Sequence, residues 1–401
     1  MLASVTVMGH EERNAMKIKN ERESNLELLR IFAMLMIILH HITVHCFYPQ
    51  LSNQAYLQHF GNETFCWPIF SKILLLPETF APLGRTANCI FMMVSGYFLV
   101  ERGKKIRLHS VAKKLLLQLA FASIALVTFT FLVSQIYSTE LAFGMPVGIE
   151  IFNKEWWFVG YYFIVITIGA IFLNERICQR SKESYVIILT VLFALFSFSW
   201  SGDVIDNFKG LRMLCAGVFC YLWGGYCKRY NPLERVKLIT FILLIAVVYV
   251  IIWISYYNAV HVNLVYFHHV DQGGTFIQPA GTSAYPDYGI VPISLSIIIF
   301  ELFRRIKIRP NAVINYISSA SFMVYLVHDN EFIRNYWAFK EDLAALLYKS
   351  PVQFCIKIGI RALLTYAVGV AAFSIYRGLM RLAKRYTHIF IKADIQSTTS
   401  L

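Results

Sequence analysis

The residues of this chain with the most chemical potential sit on one run: Glu27-Leu28-Leu29-Arg30, nine apolar residues, then His40-His41, with His45 one turn further. In a helix Arg30 and His41, eleven positions apart, differ by about 20° in rotation and about 16 Å in height, so they share a face. His40 points about 80° away from Arg30 by the same geometry. An imidazole exchanges protons near neutral pH, and a guanidinium grips anions through a planar fork. A base above a cation can draw a proton from a hydroxyl while an anionic co-substrate is held below. A second pair, His328-Asp329, could orient His41 or an acceptor hydroxyl, or lie at a solvated helix end. The structural alternative is that Glu27 and Arg30 snorkel as end groups and the histidines bond to neighbouring helices.

The elements that carry these groups are apolar. The chain has 401 residues, 57% hydrophobic and 15% charged, with a mean hydropathy of +0.54. A water-soluble protein carries about 25% charged residues, so the solvent here is lipid. Disordered, collagen-like and disulfide-scaffold classes are excluded, with 21 Gly, 11 Pro and 8 Cys. The fold class expected is all-α: a polytopic membrane helix bundle of about ten transmembrane helices. Its segments are 26–47, 82–100, 111–136, 156–173, 184–200, 208–227, 238–257, 288–303, 313–333 and 354–376. Ionisable groups at membrane depth cost a few kcal/mol unless paired or facing water, which makes them markers of function.

The net charge of +13 is a topology signal rather than a mark of nucleic acid. With a cytoplasmic N-terminus, 27 of the 37 lysines and arginines fall in inside segments and six in outside ones. Both termini are therefore expected in the cytoplasm, flanking a membrane domain over 24–385 with tails at 1–23 and 386–401. No cleavable signal peptide is expected, because Met1 to Asn20 lacks an apolar core, and Met16 offers an alternative start. Cys-x-x-Cys pairs are absent from the sequence.

Four motifs in order resemble one family. Glu27-Leu28-Leu29-Arg30-Ile31 with His41 looks like the first-helix signature of acyltransferase family 3, the polytopic O-acyltransferases of the bacterial envelope that modify polysaccharides. Ile90-Phe91-Met92-Met93-Val94-Ser95-Gly96-Tyr97-Phe98-Leu99 is similar to a later helix end, trailed by Lys104-Lys105-Ile106-Arg107. Glu155-Trp156-Trp157-Phe158-Val159-Gly160-Tyr161-Tyr162 looks like an aromatic helix start, and Tyr325-Leu326-Val327-His328 a late-span element. The resemblance implies a multi-pass protein of the bacterial inner membrane, with acetyl-CoA or another acyl-CoA as donor substrate and a saccharide as acceptor. No permanently bound cofactor is implied.

Acyl transfer from a thioester to a hydroxyl needs a base, donors for the developing oxyanion and a cationic seat for an anionic donor. His41 is the expected base. Arg30, Lys104, Lys105 and Arg107 could hold coenzyme A phosphates, although the positive-inside rule alone would put lysines and arginines there. Arg85, near the outer end of its span, has no such explanation; it could bind acceptor, stabilise an oxyanion or anchor at the interface. Glu155, Trp156, Trp157 and Tyr161 flank the outer mouth, where flat rings suit sugar faces and also form ordinary aromatic belts. Ser95 is the hydroxyl nearest to suspect for an acyl-enzyme, or a small residue permitting close helix contact beside Gly96.

The loop 258–288 carries His261, His268, His269, Asp271 and Asp287 at spacings that match no zinc pattern, and no metal is expected. The expected function is an integral membrane O-acyltransferase moving an acetyl or similar group from cytoplasmic acyl-CoA to a hydroxyl of an envelope or exported saccharide. The alternative is an exporter of polysaccharide or lipid-linked sugar without acyl transfer. Acyl-CoA, saccharide and the bilayer are the expected partners, with no nucleic acid.

Overall fold

Apolar runs interrupted by short basic turns fold into helices because lipid forces every backbone polar group to be satisfied internally. The structure is a computed structural model that describes residues 23–48, 75–136, 156–197, 209–269, 288–329, 333, 337 and 342–398. All regular structure among them is helical. The first part comprises α1 (Ser24–Ile42) with a π turn (Thr43–Phe47), α2 (Leu83–Leu99) with a 3-10 turn (Val100–Lys105), and α3 (Leu108–Ile136). Then come α4 (Trp157–Ile168), a second π turn (Gly169–Leu173), α5 (Asn174–Cys178), α6 (Lys182–Ser197), α7 (Lys209–Tyr230) and α8 (Leu238–His269). The last part holds α9 (Ile290–Arg305), α10 (Ala312–Ser319), α11 (Ser321–His328), α12 (Leu343–Lys349) and α13 (Pro351–Thr398).

Six helices among the described residues are long and apolar enough to cross a membrane: Ser24–Phe47, Leu75–Arg102, Leu108–Phe129, Trp157–Cys178, Leu238–Asn258 and Pro351–Tyr386. The other expected segments are helical but differ in kind. α6 and α9 have 16 residues each, about 24 Å against a hydrocarbon core of about 30 Å. α7 has 22 residues but carries Lys209, Arg212, Lys228 and Arg229, which lower its hydropathy. The span expected over 313–333 is broken at Ala320 into α10 and α11. The sequence there is Ser318-Ser319-Ala320-Ser321, and the Ser319 hydroxyl donates to the Asn315 carbonyl at 2.7 Å, competing with the helical ladder.

α2 is the central helix, with 78% of its apolar window buried, whereas α8 buries 11% and faces outward. α2 and α7 cross with their backbones nearly touching. A Cβ at Gly96 would come within 1.7 Å of the Tyr221 carbonyl oxygen, and one at Gly224 within 1.9 Å of the Met93 carbonyl oxygen. Only glycine permits that approach. α1 packs on the other side of α2, where the His40 ring lies over Gly84 and its Nδ1–H donates to the Ala81 carbonyl at 2.6 Å.

The basic end of the bundle is tied by polar contacts. Ser24 Oγ donates to Asn315 Oδ1 at 3.0 Å and accepts from the Asn311 N–H at 2.8 Å. Asn311 caps α10 by accepting from the Val313 and Ile314 N–H groups. Glu301 is fully buried and pairs with Arg304 at 2.7 Å and Arg305 at 3.5 Å. These contacts fix the start of α1 against α9 and α10, and so set the height of everything α1 carries.

Candidate functional site

The reactive groups converge where α1 meets the end of α11. His41 Nδ1 lies 2.9 Å from Asp329 Oδ2, an ion-pair distance outside hydrogen-bond alignment. His45 Nε2 lies 4.0 Å from Asp329 Oδ1. The His41 ring is 4.9 Å from His328 and 5.1 Å from His45, centroid to centroid. His328 is 1% exposed and Asp329 is buried. Since a carbonyl can only accept, the 2.6 Å contact of His328 Nδ1 with the Tyr325 carbonyl assigns the proton to Nδ1. A neutral His328 then presents the Nε2 lone pair.

Helix irregularity builds this cluster. In a continuous α-helix His45 would sit about 40° around from His41. The π turn over Thr43–Phe47 takes more residues per revolution and leaves both rings towards Asp329. α11 ends at His328, and Asp329, at φ −110° and ψ 59°, has already left helical geometry.

A cavity of about 320 Å³ adjoins the cluster through Tyr325, while His41, His328 and Asp329 are not among its lining residues. Arg30 and Ile37, seven positions apart on α1, both line it. Tyr325 joins cavity and cluster: it lines the first, and its ring lies 5.5 Å from His328. Hydroxyls of Ser95, Tyr162, Ser318, Ser319 and Ser321 punctuate an otherwise apolar wall.

Arg30 is held by Glu27, whose carboxylate accepts from its Nη1 at 3.3 and 3.4 Å and also accepts from Ser318 Oγ. Glu27 is 4% exposed while the Arg30 side chain keeps 30% of its exposure, so a buried carboxylate holds a part-exposed guanidinium. The guanidinium is the cavity's single cation among the described lining residues.

This constellation has the parts of an acyl-transfer centre: an imidazole with a carboxylate at its back, hydroxyl donors and a seat for an anion. The family model described as an acyltransferase domain, acyltransferase family 3, matches residues 23–375. The chain belongs to acyltransferase family 3. No curated protein and no solved structure matches it. Membership makes this a membrane acyltransferase by family.

The motif residues of this acyltransferase fall into different places. Gly96 is where α2 touches α7, and Ser95 Oγ donates to the Phe91 carbonyl at 2.8 Å while meeting Tyr162 OH at 2.9 Å. Arg85 has its guanidinium 5.7 Å from the Trp157 ring and 5.4 Å from the Tyr288 ring. Tyr161 stacks on Trp157 at 6.1 Å and donates its OH to the Met213 carbonyl at 2.8 Å. Trp156 is buried, donating its indole N–H to the Leu326 carbonyl at 3.1 Å.

Arg107 is exposed and does not line the cavity. Lys104 and Lys105 lie on the 3-10 turn after α2, with their side chains outside the described residues, as is the whole of Glu155. The sequence reading passed over two members of the site, Ser318 beneath Glu27 and Tyr288 beside Arg85. Neither is signalled by type or spacing, since both act through contacts with distant segments.

His41, His328 and Asp329 also form a donor set, each offering one ligand atom within 4.8 Å of the others. Two imidazoles and a carboxylate suit a divalent transition metal at bonds of about 2.0–2.2 Å.

Proposed function

We propose that this acyltransferase moves an acetyl or similar acyl group from acyl-CoA on the basic, cytoplasmic side to a hydroxyl of an envelope or exported saccharide on the other. The observation that carries this reading is the Asp329 carboxylate 2.9 Å from His41 Nδ1, next to His328 and Tyr325, the latter of which also lines the cavity holding Arg30. In this reading His41 takes the acceptor proton through Nε2 as the oxygen attacks the thioester carbon. Asp329 holds the ring and stabilises the imidazolium that forms. The imidazolium then gives its proton to the departing thiolate, so coenzyme A leaves as the thiol.

Arg30 would hold a phosphate of the donor, with Glu27 fixing the fork. Arg85, Trp157 and Tyr161 support an acceptor seat beyond the cluster, where the guanidinium and flat rings are already gathered. The placement of the basic turns supports this polarity in a bacterial inner membrane.

The test uses membranes containing the protein, incubated with radiolabelled acetyl-CoA and envelope saccharide. Transfer should require His41, and label transfer that survives His41→Ala would overturn the assignment. If deleting the protein instead lowers saccharide export while acetyl content per chain stays the same, the molecule is an exporter.

A further inference from the structure

The central cavity is bounded on one side by Leu115 of α3 and Val159 of α4, and behind these two residues lies a second hollow of about 450 Å³. Ala112, Leu116 and Leu119 line it from α3, and Trp157, Gly160 and Phe163 from α4. Its wall is built of aliphatic and aromatic side chains, Trp156 included, and Leu116 is 58% exposed, as befits a surface towards hydrocarbon. An apolar face on a membrane helix is by itself ordinary lipid contact.

Three observations separate this trough from one. It shares Leu115 and Val159 with the cavity lined by Arg30 and Tyr325, so two side chains divide a lipid-facing hollow from that cavity. Gly160 leaves its middle unfilled: a Cβ there would meet no described atom within 4 Å. Trp157, which closes one end, has the Arg85 guanidinium 5.7 Å from its ring, and Arg85 also faces Tyr288 at 5.4 Å. Hydrocarbon room, a flat ring and a cation thus adjoin one another at Trp157.

That sequence of chemistries matches one kind of molecule: a long hydrocarbon chain, an anionic link and a sugar. We infer that the trough between α3 and α4 seats the chain of a lipid-linked saccharide joined through phosphate. The phosphate lies at Arg85 and the sugar on the Trp157 ring, which is 37% exposed. The acceptor then reaches the site from within the bilayer, between two helices. This rests on the acyl-transfer reading for its purpose, though the seat itself is a matter of binding.

The full chain in lipid nanodiscs should be photolabelled by a benzophenone-tagged polyprenyl diphosphate on the peptides that contain Leu116 and Phe163. Unlabelled polyprenyl diphosphate should compete, and phosphatidylglycerol should not. Gly160→Leu, which fills the trough, should lower labelling at least about tenfold, the loss expected when a few methylene groups forfeit an apolar seat. Gly160→Ala should leave labelling and the thermal unfolding midpoint unchanged, which separates filling from misfolding. Arg85→Gln should lower labelling by the diphosphate more than labelling by a tagged polyprenol without phosphate.

Equal competition by phosphatidylglycerol, or undiminished labelling of Gly160→Leu, would show an ordinary lipid contact and overturn the inference. Labelling needs no turnover, so a labelled trough without acyl transfer defeats only the functional reading. Acyl transfer with an unlabelled trough defeats only this inference.

Discussion

Replacing Asp329 with Asn keeps the size of the side chain and removes its charge beside His41. At an effective dielectric near 20, a unit charge 2.9 Å from a forming imidazolium contributes about 6 kcal/mol. The His41 side chain retains 20% of its exposure, and water screens part of that field, so about 3–4 kcal/mol is the expected loss in the transition state. That converts to a fall of about 10²- to 10³-fold in kcat.

In the proposed reading the donor phosphate sits at Arg30 and not at Asp329, so KM for acyl-CoA should stay within about twofold. The assay is initial-rate transfer of radiolabelled acetyl from acetyl-CoA in membranes, with protein content matched by immunoblot. If Asp329→Asn loses less than about fivefold in kcat, or raises KM while sparing kcat, the carboxylate is not supporting a base and the argument from its position fails.

The other groups make separable predictions. Arg30→Lys keeps the pair with Glu27 but loses the planar fork, so KM for acyl-CoA should rise about tenfold while kcat holds within about threefold. Ser95→Ala should retain transfer within about threefold, since its hydroxyl is engaged with Phe91 and Tyr162. Trapping of an acyl group on Ser95, detected by peptide mass, would contradict direct transfer. Gly96→Ala would drive a methyl against the Tyr221 carbonyl and should cost at least about 3 kcal/mol, seen as lost folded yield and a lowered thermal midpoint in detergent. Dialysis against a chelator should leave the transfer rate unchanged if His41 serves as the base. Loss that zinc restores would make His41, His328 and Asp329 metal ligands instead.

Helical periodicity made part of this site legible. Arg30 and His41 could be put on one face from spacing alone, and the cavity lined by Arg30 and Ile37 follows that face. Asp329 was legible as a support for His41, for an acceptor hydroxyl or as a solvated helix end, but not which of these, because positions 41 and 329 are joined by tertiary packing that no local pattern encodes. The π turn at Thr43–Phe47 left no single-residue mark, so the alignment of His45 with His41 could not be foreseen. At Ala320 the signal was present, since serines on either side favour local side-chain bonds over the ladder, yet apolar length suggested an unbroken span. Lys104, Lys105 and Arg107 show a different limit: a basic turn serves topology and phosphate binding with the same residues, and composition cannot divide the two roles.

The regular and irregular parts of the bundle divide the labour in a way that bears on how such a site stays assembled in lipid. α2 and α7 meet at Gly96 and Gly224 with no room for any side chain, which makes a stiff wall with one geometry. The helices bearing the reactive groups depart from regularity close to those groups, α1 by its π turn and the α10–α11 pair by the break at Ala320. Side-chain hydroxyls add bonds beside these points: Thr43 Oγ1 donates at 3.0 Å to the Leu39 carbonyl, which also accepts the Thr43 N–H, and Ser319 Oγ donates to that of Asn315 at 2.7 Å. The irregular turns thus keep their polar groups bonded inside the membrane domain, and α1 packs directly on both α2 and α11. The short distance between His41 and Asp329 is thus set by the whole bundle rather than by the two residues that make it.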